Sequence, residues 1–332
     1  MAKFNKTEKP FSMHLTVEDV QTATPEEKEQ LFIMRESLTY WKDAFRRFRR
    51  NKVAVVSLIV IVLIAVFAFV GPFFSPCDYK TQFRDSLHVP PGKIPIHPFG
   101  TDGLGRDMLV RCMVGARISL SIGFLCSLLV VLIGTFYGAL SGYKGGVVDN
   151  IMMRVVEILY SIPDILVVIL LQISLKSFLD RIFPSSSLGS SMIAIFIVFA
   201  LLYWADMARM VRGQVLLIKQ MEYVTASRAM GARGGHIITK HLIPNSLGVI
   251  LVSATFQIPV AIFLESFLSY IGLGVSAPMA SLGSLCSQAM SGFRSYPYLL
   301  FFPAVLISLI ILAFNLVGDG LRDALDPRLR SE

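Results

Sequence analysis

The chain has 332 residues, 54% hydrophobic and only 16% charged, too apolar for an ordinary soluble domain. Its net charge of +8 is not gathered on a soluble basic face with stacking aromatics, which excludes a nucleic-acid-binding module and points to membrane topology and anionic headgroups. The four cysteines, Cys77, Cys112, Cys126 and Cys286, show no metal-ligand spacing, so the pattern predicts no metal site and no resident cofactor.

Residues 1–36 read as a polar tail, with Pro10, Pro25 and the acidic run Glu26, Glu27 and Glu29; this composition specifies no packed structure. From 37 to 52 the pattern changes. Leu38, Trp41, Phe45 and Phe48 recur at spacings of three and four, while Arg46, Arg47, Arg49 and Arg50 crowd the other faces. That predicts an amphipathic helix on the inner leaflet, arginines at the headgroups and aromatics below. Residues 53–74 carry no charge and are long enough to cross roughly 30 Å of hydrocarbon. The run starts too late and is too long for a signal peptide, so it reads as a retained anchor. Further spans are predicted at about 118–141, 151–173, 191–207, 247–271 and 299–317. Six long apolar runs mean helices rather than the alternating strands of a barrel. The expected fold is an all-α membrane protein: a six-helix transmembrane domain over 53–318, then a tail over 319–332.

Lysine and arginine set the orientation. With the N-terminus inside, the inner segments hold seventeen of these residues and the outer ones nine, which places both termini in the cytoplasm. The 75–116 loop then lies outside. It is rich in proline and ends in FGTDGLGRD over 99–107. No strand precedes these glycines and no GxxxxGK[ST] occurs, which excludes a phosphate cradle. A structured turn setting Asp102 and Asp107 near Arg106 and Arg111 is expected instead. Cys77, Cys112 and Cys286 fall on or near this side, which permits a disulfide, although unpaired thiols are the expectation.

Arg154, Glu157, Asp164, Asp206, Arg209 and Glu265 lie within or beside spans. A charge at the bilayer centre costs at least about 2.5–3.5 kcal/mol, so each is expected to face protein or water. Arg154 with Glu157, and Asp206 with Arg209, stand three apart and are expected to pair. Glu157, Asp164 and Glu265 are the candidates for a translocation path. Asp164 follows Pro163 and Glu265 follows Pro259, positions where proline frees backbone carbonyls that neighbours must satisfy.

The 208–245 loop contains EYVTASRAMGARGGHIITKHLIPN over 222–245. It reads as two short helices broken between Gly231 and Gly235 and stopped at Pro244. Gly231 permits a reversal at positive φ, and Gly234 and Gly235 add a second flexible point. A face of Tyr223, Val224, Ala226, Ala229 and Met230 fits a groove in another protein. Joined directly to the fourth and fifth spans, such a knob transmits displacement as a lever.

Four separated segments together resemble one family. FGTDGLGRD with GARISL (115–120), the run 142–163, the 222–245 loop, and ESFLSYIGLGV (265–275) with AFNLVGDGLRDALDPR (313–328) are similar to permeases of peptide and nickel ABC importers. The chain looks most like the C-type subunit of oligopeptide or dipeptide importers, over roughly 37–328. The coupling-loop residues that match are Glu222, Tyr223, Val224, Ala226, Arg228, Gly231, Ala232, His241, Pro244 and Asn245. The sequence departs from the family pattern at Thr225, Ser227 and Leu282, which leaves Glu222 as the carboxylate facing an ATPase.

The resemblance implies a type I importer permease that is not itself an enzyme. It implies a heterodimer with a second homologous permease, two ABC ATPase subunits that carry ATP and Mg, and an extracytoplasmic substrate-binding protein. Membrane lipid completes its surroundings, in the plasma membrane of a bacterium. Oligopeptides or dipeptides are the expected cargo; nickel or another small solute is the alternative. A proton-coupled secondary transporter using Glu157, Asp164 or Glu265 leaves the knob unexplained and lacks a clear inverted repeat. An intramembrane hydrolase fits worst. All five histidines, His14, His88, His97, His236 and His241, lie outside the spans, and HExxH is absent.

Overall fold

The computed structural model describes residues 40–182, 189–275 and 279–326. The predicted 1–36 tail, Leu38, and the tail beyond 326 lie outside them. Contacts divide the chain into units 1–43 and 44–332; the described part of the first is the opening turn of α1, Tyr40–Arg50.

Within the second unit, α1 ends at Asn51, whose side-chain oxygen accepts from the Ala54 amide at 3.1 Å and caps α2, Lys52–Phe69. Phe48 is buried against Ala54, Val317 and Ala324, while Phe45 stays exposed. The predicted aromatic stripe therefore divides, one ring serving the protein and another its surroundings. Along α2 the buried positions are Ala54, Ser57, Ile64 and Ala68, and Val56, Ile59, Val62, Leu63 and Val66 point outward. This is membrane logic: lipid is as apolar as leucine, so close packing of small residues holds helices together. A short turn, α3 over Gly71–Phe74, follows with Pro72 in its first turn.

The 75–107 loop has no helix or strand; among the described residues its one ladder contact is the bridge Thr101–Asp107. Asp102 organises it, accepting from the Leu104 and Arg106 amides at 2.9 Å and from Arg106 Nε at 2.8 Å, and pairing with Arg111. Arg111 also donates to Gln288 Oε1 at 2.9 Å. The expected turn is present, except that Asp107 meets His97 instead of an arginine.

Helix α4, Met108–Lys144, runs 37 residues, roughly 55 Å, and starts ten residues before the predicted span. Asp107 caps it, Oδ1 accepting from the Val110 amide at 2.8 Å. Gly134, Gly138 and Gly142 lie one turn apart on its face toward α8: a Cβ on Gly138 would sit 2.2 Å from the Ala208 carbonyl oxygen. Only glycine lets these backbones approach so closely.

The predicted third span is two helices, α5 (Gly146–Tyr160) and α6 (Asp164–Ile182), bent by 84°. Pro163 explains the break, because it drives the preceding residue out of helical conformation. Next come α7 (Ser190–Leu202) and α8 (Trp204–Ile218), which share Tyr203 and together pass as one span of 29 residues. The fourth span thus ends at Ile218 rather than 207, shortening the loop after it. Among the described residues, five helices or helix runs are long and apolar enough to cross a membrane, and the bent pair makes up to six.

After α9 (Glu222–Ala229) and α10 (Gly234–Ile237), a π-turn over Ile238–Leu242 leads without interruption into α11, Ile243–Tyr270. Pro244 does not stop the second helix. It occupies the first turn of α11, where its missing N–H costs little, and the wider π-turn makes room for its ring. Asn245 Nδ2 donates to the His241 carbonyl at 2.6 Å and Ser246 Oγ to that of Leu242 at 2.9 Å. The helix also continues through Pro259. A capping box of Ser281 and Ser284 opens α12, Leu282–Met290, and α13, Tyr298–Leu325, closes the fold. The main core joins α4, α7, α8 and α11 through Ile122, Val130, Ile195, Phe199, Met207, Val211 and Leu268.

Candidate functional site

The polar stretch after α8 folds as a knob. Met221 flanks the start of α9, and past its C-cap Met230 the chain turns at Gly231, whose φ is 81°. The Gly231 amide donates to the Arg228 carbonyl at 3.0 Å and the Ala232 amide to that of Ser227 at 3.1 Å, the two crossed hydrogen bonds of a Schellman turn. Glycine fits because a side chain in this left-handed conformation is strained. The chain reverses there and restarts at Gly234, where a Cβ would press on the Tyr143 ring at 2.8 Å. Gly234 is thus a close-packing point, not a flexible one.

Val224, Ile237 and Leu242 are fully buried in the same cluster as Val215 and Ile218 of α8, and each contributes roughly 1.5–3 kcal/mol by leaving water. Val224 therefore does not belong to the outward face expected for it. The exposed side of α9 carries Glu222, Tyr223, Thr225, Ala226, Arg228 and Ala229, and Met230 just beyond is 81% exposed. Gly231, Pro244 and Asn245 are exposed as well, whereas Ala232 and His241 are half-buried. Tyr223 and His241 meet with ring centroids 6.0 Å apart, and the Arg228 guanidinium lies over Tyr143 at 5.6 Å. The fold thus gathers all ten sequence-predicted loop residues within one knob, Val224 on its buried side.

Two anchors absent from the sequence reading hold that knob. Asp149, buried at the start of α5, takes Arg212 Nε and Nη2 of α8 at 2.6 Å each and the Ser141 hydroxyl at 2.5 Å. Such a two-pronged guanidinium–carboxylate pair fixes direction as well as distance. Lys219 Nζ donates to the Gly142 carbonyl at 2.9 Å, satisfying the end of α4. Their signal in the sequence was weak, because partners more than sixty residues apart leave no periodicity.

The three path candidates are not brought together. Glu157 is exposed on α5 and binds Arg154 at 2.8 Å, as expected. Asp164 lines a cavity of about 360 Å³ at the α5–α6 break, with Tyr160, Tyr203 and Asp206. Tyr203 donates to Asp164 Oδ2 at 3.3 Å. The expected Asp206–Arg209 pair does not form: Arg209 sits over the Tyr160 ring at 4.3 Å, and Asp206 lines the cavity with Tyr160. Glu265 is fully buried, accepting from Ser119 at 3.0 Å and Ser269 at 2.7 Å. It joins α4 to α11 and does not line an open space in this conformation.

The family described as binding-protein-dependent transport system inner membrane component matches residues 134–331, and the N-terminal TM domain of oligopeptide transport permease C matches 39–91. The oligopeptide transport system permease protein OppC of Bacillus subtilis is 48% identical over 298 residues, covering 90% of this chain and 93% of that protein. The dipeptide transport system permease protein DppC of the same organism is 46% identical, covering 90% and 89%. In fold, the chain is similar to the inward-facing MetNI methionine ABC transporter, with a TM-score of 0.51 at 23% identity, over 66% of this chain and 98% of that one.

Proposed function

The chain belongs to the family of binding-protein-dependent transport system inner membrane components, and from that premise we propose that it is one permease subunit of an ATP-driven importer of oligopeptides or dipeptides. It is not the ATPase. Two partner ATPases bind ATP and Mg and grip the 222–245 knob; a second homologous permease completes the pathway; an extracytoplasmic receptor delivers the peptide. Both termini lie in the cytoplasm. The observation that supports this reading is the knob itself, whose inner side is continuous with the core while Glu222, Tyr223, Ala226, Arg228 and Met230 stand outward. A part so firmly joined to α8 and α11 passes a push into the spans instead of absorbing it.

Asp164 is proposed to line the path at the α5–α6 break, and Glu157, paired with Arg154 on α5, to line it separately. Glu265 acts behind the path, bracing α4 against α11. Cargo other than peptides has less support, since the relatives named above are oligopeptide and dipeptide permeases. The test is co-purification of the four-subunit importer and peptide uptake in vesicles. Gly231→Pro is expected to release the ATPases and abolish uptake; unchanged assembly and uptake would remove the docking role.

A further inference from the structure

The sequence pattern offered no metal-ligand spacing, yet the 75–107 loop assembles donors that stand far apart in the chain. One donor atom from each of Cys77, His97 and Asp107 lies within 4.8 Å of the other two. All three residues are buried, Asp107 the most completely. His97 Nδ1 and Asp107 Oδ2 are 2.7 Å apart, and the Phe83 ring covers the imidazole at 5.1 Å between centroids. From this geometry we infer that Cys77, His97 and Asp107 form a binding site for one divalent ion of the zinc class.

The donor set selects the ion. Thiolate, imidazole and carboxylate together suit zinc, whereas calcium and magnesium take oxygen ligands. Three protein donors leave a fourth tetrahedral position, which water fills. Binding needs a slight opening of the 2.7 Å His97–Asp107 contact. The ion takes the place of the shared proton, which moves to the other imidazole nitrogen, and the thiol releases its own proton to solvent. In the ion-free chain Cys77 is held as a thiol, because burial and then the nearby Asp107 carboxylate raise its pKa.

The architecture gives the ion a purpose. More than thirty residues run from α3 to α4 with no helix or strand, longer than loops usually remain ordered on their own. An ion joining positions 77, 97 and 107 closes this segment onto the cap of α4, since Asp107 Oδ1 remains with the Val110 amide. The role is structural, and it stands apart from the transport reading.

The test uses the full-length chain in lipid nanodiscs, loaded with zinc and dialysed against metal-free buffer. Expected are one zinc per chain by mass spectrometry and, in zinc-edge X-ray absorption, one sulfur neighbour at about 2.3 Å among lighter donors. Cys77→Ser should remove both the sulfur signal and the retained zinc, while Cys286→Ser keeps them. Failure of the wild-type chain to retain zinc, a sulfur count other than one, or an unchanged signal in Cys77→Ser overturns the assignment. Should Cys77→Ser not fold, the wild-type measurements decide alone.

Discussion

Arg212 and Asp149 carry the geometry of the knob's base on two 2.6 Å contacts. Removing one member strands a mostly buried opposite charge, at a cost on the order of 3 kcal/mol. Arg212→Met is therefore expected to lower the thermal midpoint of the purified chain clearly, and Arg212→Met with Asp149→Leu to regain most of the loss. A double variant no better than the single one counts against this pair as the anchor. Glu265 poses a related problem within the helices. Its carboxylate receives hydroxyls from Ser119 and Ser269, so Glu265→Ala leaves a void and two unpaired donors. The expected cost is on the order of 2–3 kcal/mol, measured by the same melting assay; Glu265→Gln, which still accepts, should cost much less.

Among the elements, α4 and α8 approach through Gly134, Gly138 and Gly142. Gly138→Ala forces a methyl into the Ala208 carbonyl and is expected to cost about 1–3 kcal/mol. Gly213→Ala, with open space around it, should be neutral or gain up to about 1 kcal/mol from helix propensity. Equal effects of the two on thermal unfolding would refute the close-packing account. At the Schellman turn the surroundings are equally open, so any penalty at Gly231 comes from the backbone. Gly231→Val should cost about 1–2 kcal/mol while Gly231→Asn is better tolerated, as relative melting midpoints will report.

What was legible at this scale follows from locality. The apolar helix expected over 53–74, which ends earlier at Phe69, the reversal at Gly231 and the Arg154–Glu157 pair are encoded within a few residues, and the structure contains each. The 84° bend had its cause in view at Pro163, but its angle depends on packing. Helix α8 outran its predicted end because hydropathy discounts Arg209 and Arg212, which here find Tyr160 and Asp149. Pro244 misled for the opposite reason: a proline reads as a stop, and a preceding π-turn is invisible to periodicity.

At the scale of the whole molecule, topology is the exposed claim. If the knob faces the cytoplasm, a cysteine at Met230, in a background lacking the native thiols, is labelled by an impermeant maleimide in inverted vesicles and spared in intact cells. Labelling from outside would reverse the orientation. The exposed residues of α9 were legible because the motif lies in one stretch; the donors at 77, 97 and 107 were not, because only the folded loop makes them neighbours. The uninterrupted 37-residue course of α4 links these distant places. Its first residue adjoins the Asp107 cap, and in its last turn the Gly142 carbonyl accepts from Lys219 while Tyr143 packs against Gly234. If partner ATPases engage the knob as proposed and the helix moves as one body, it acts as a seesaw: a small tilt imposed at that end reappears, reversed in direction, at the far rim. Closing one mouth and opening the other would then be a single mechanical event, requiring no messenger between them.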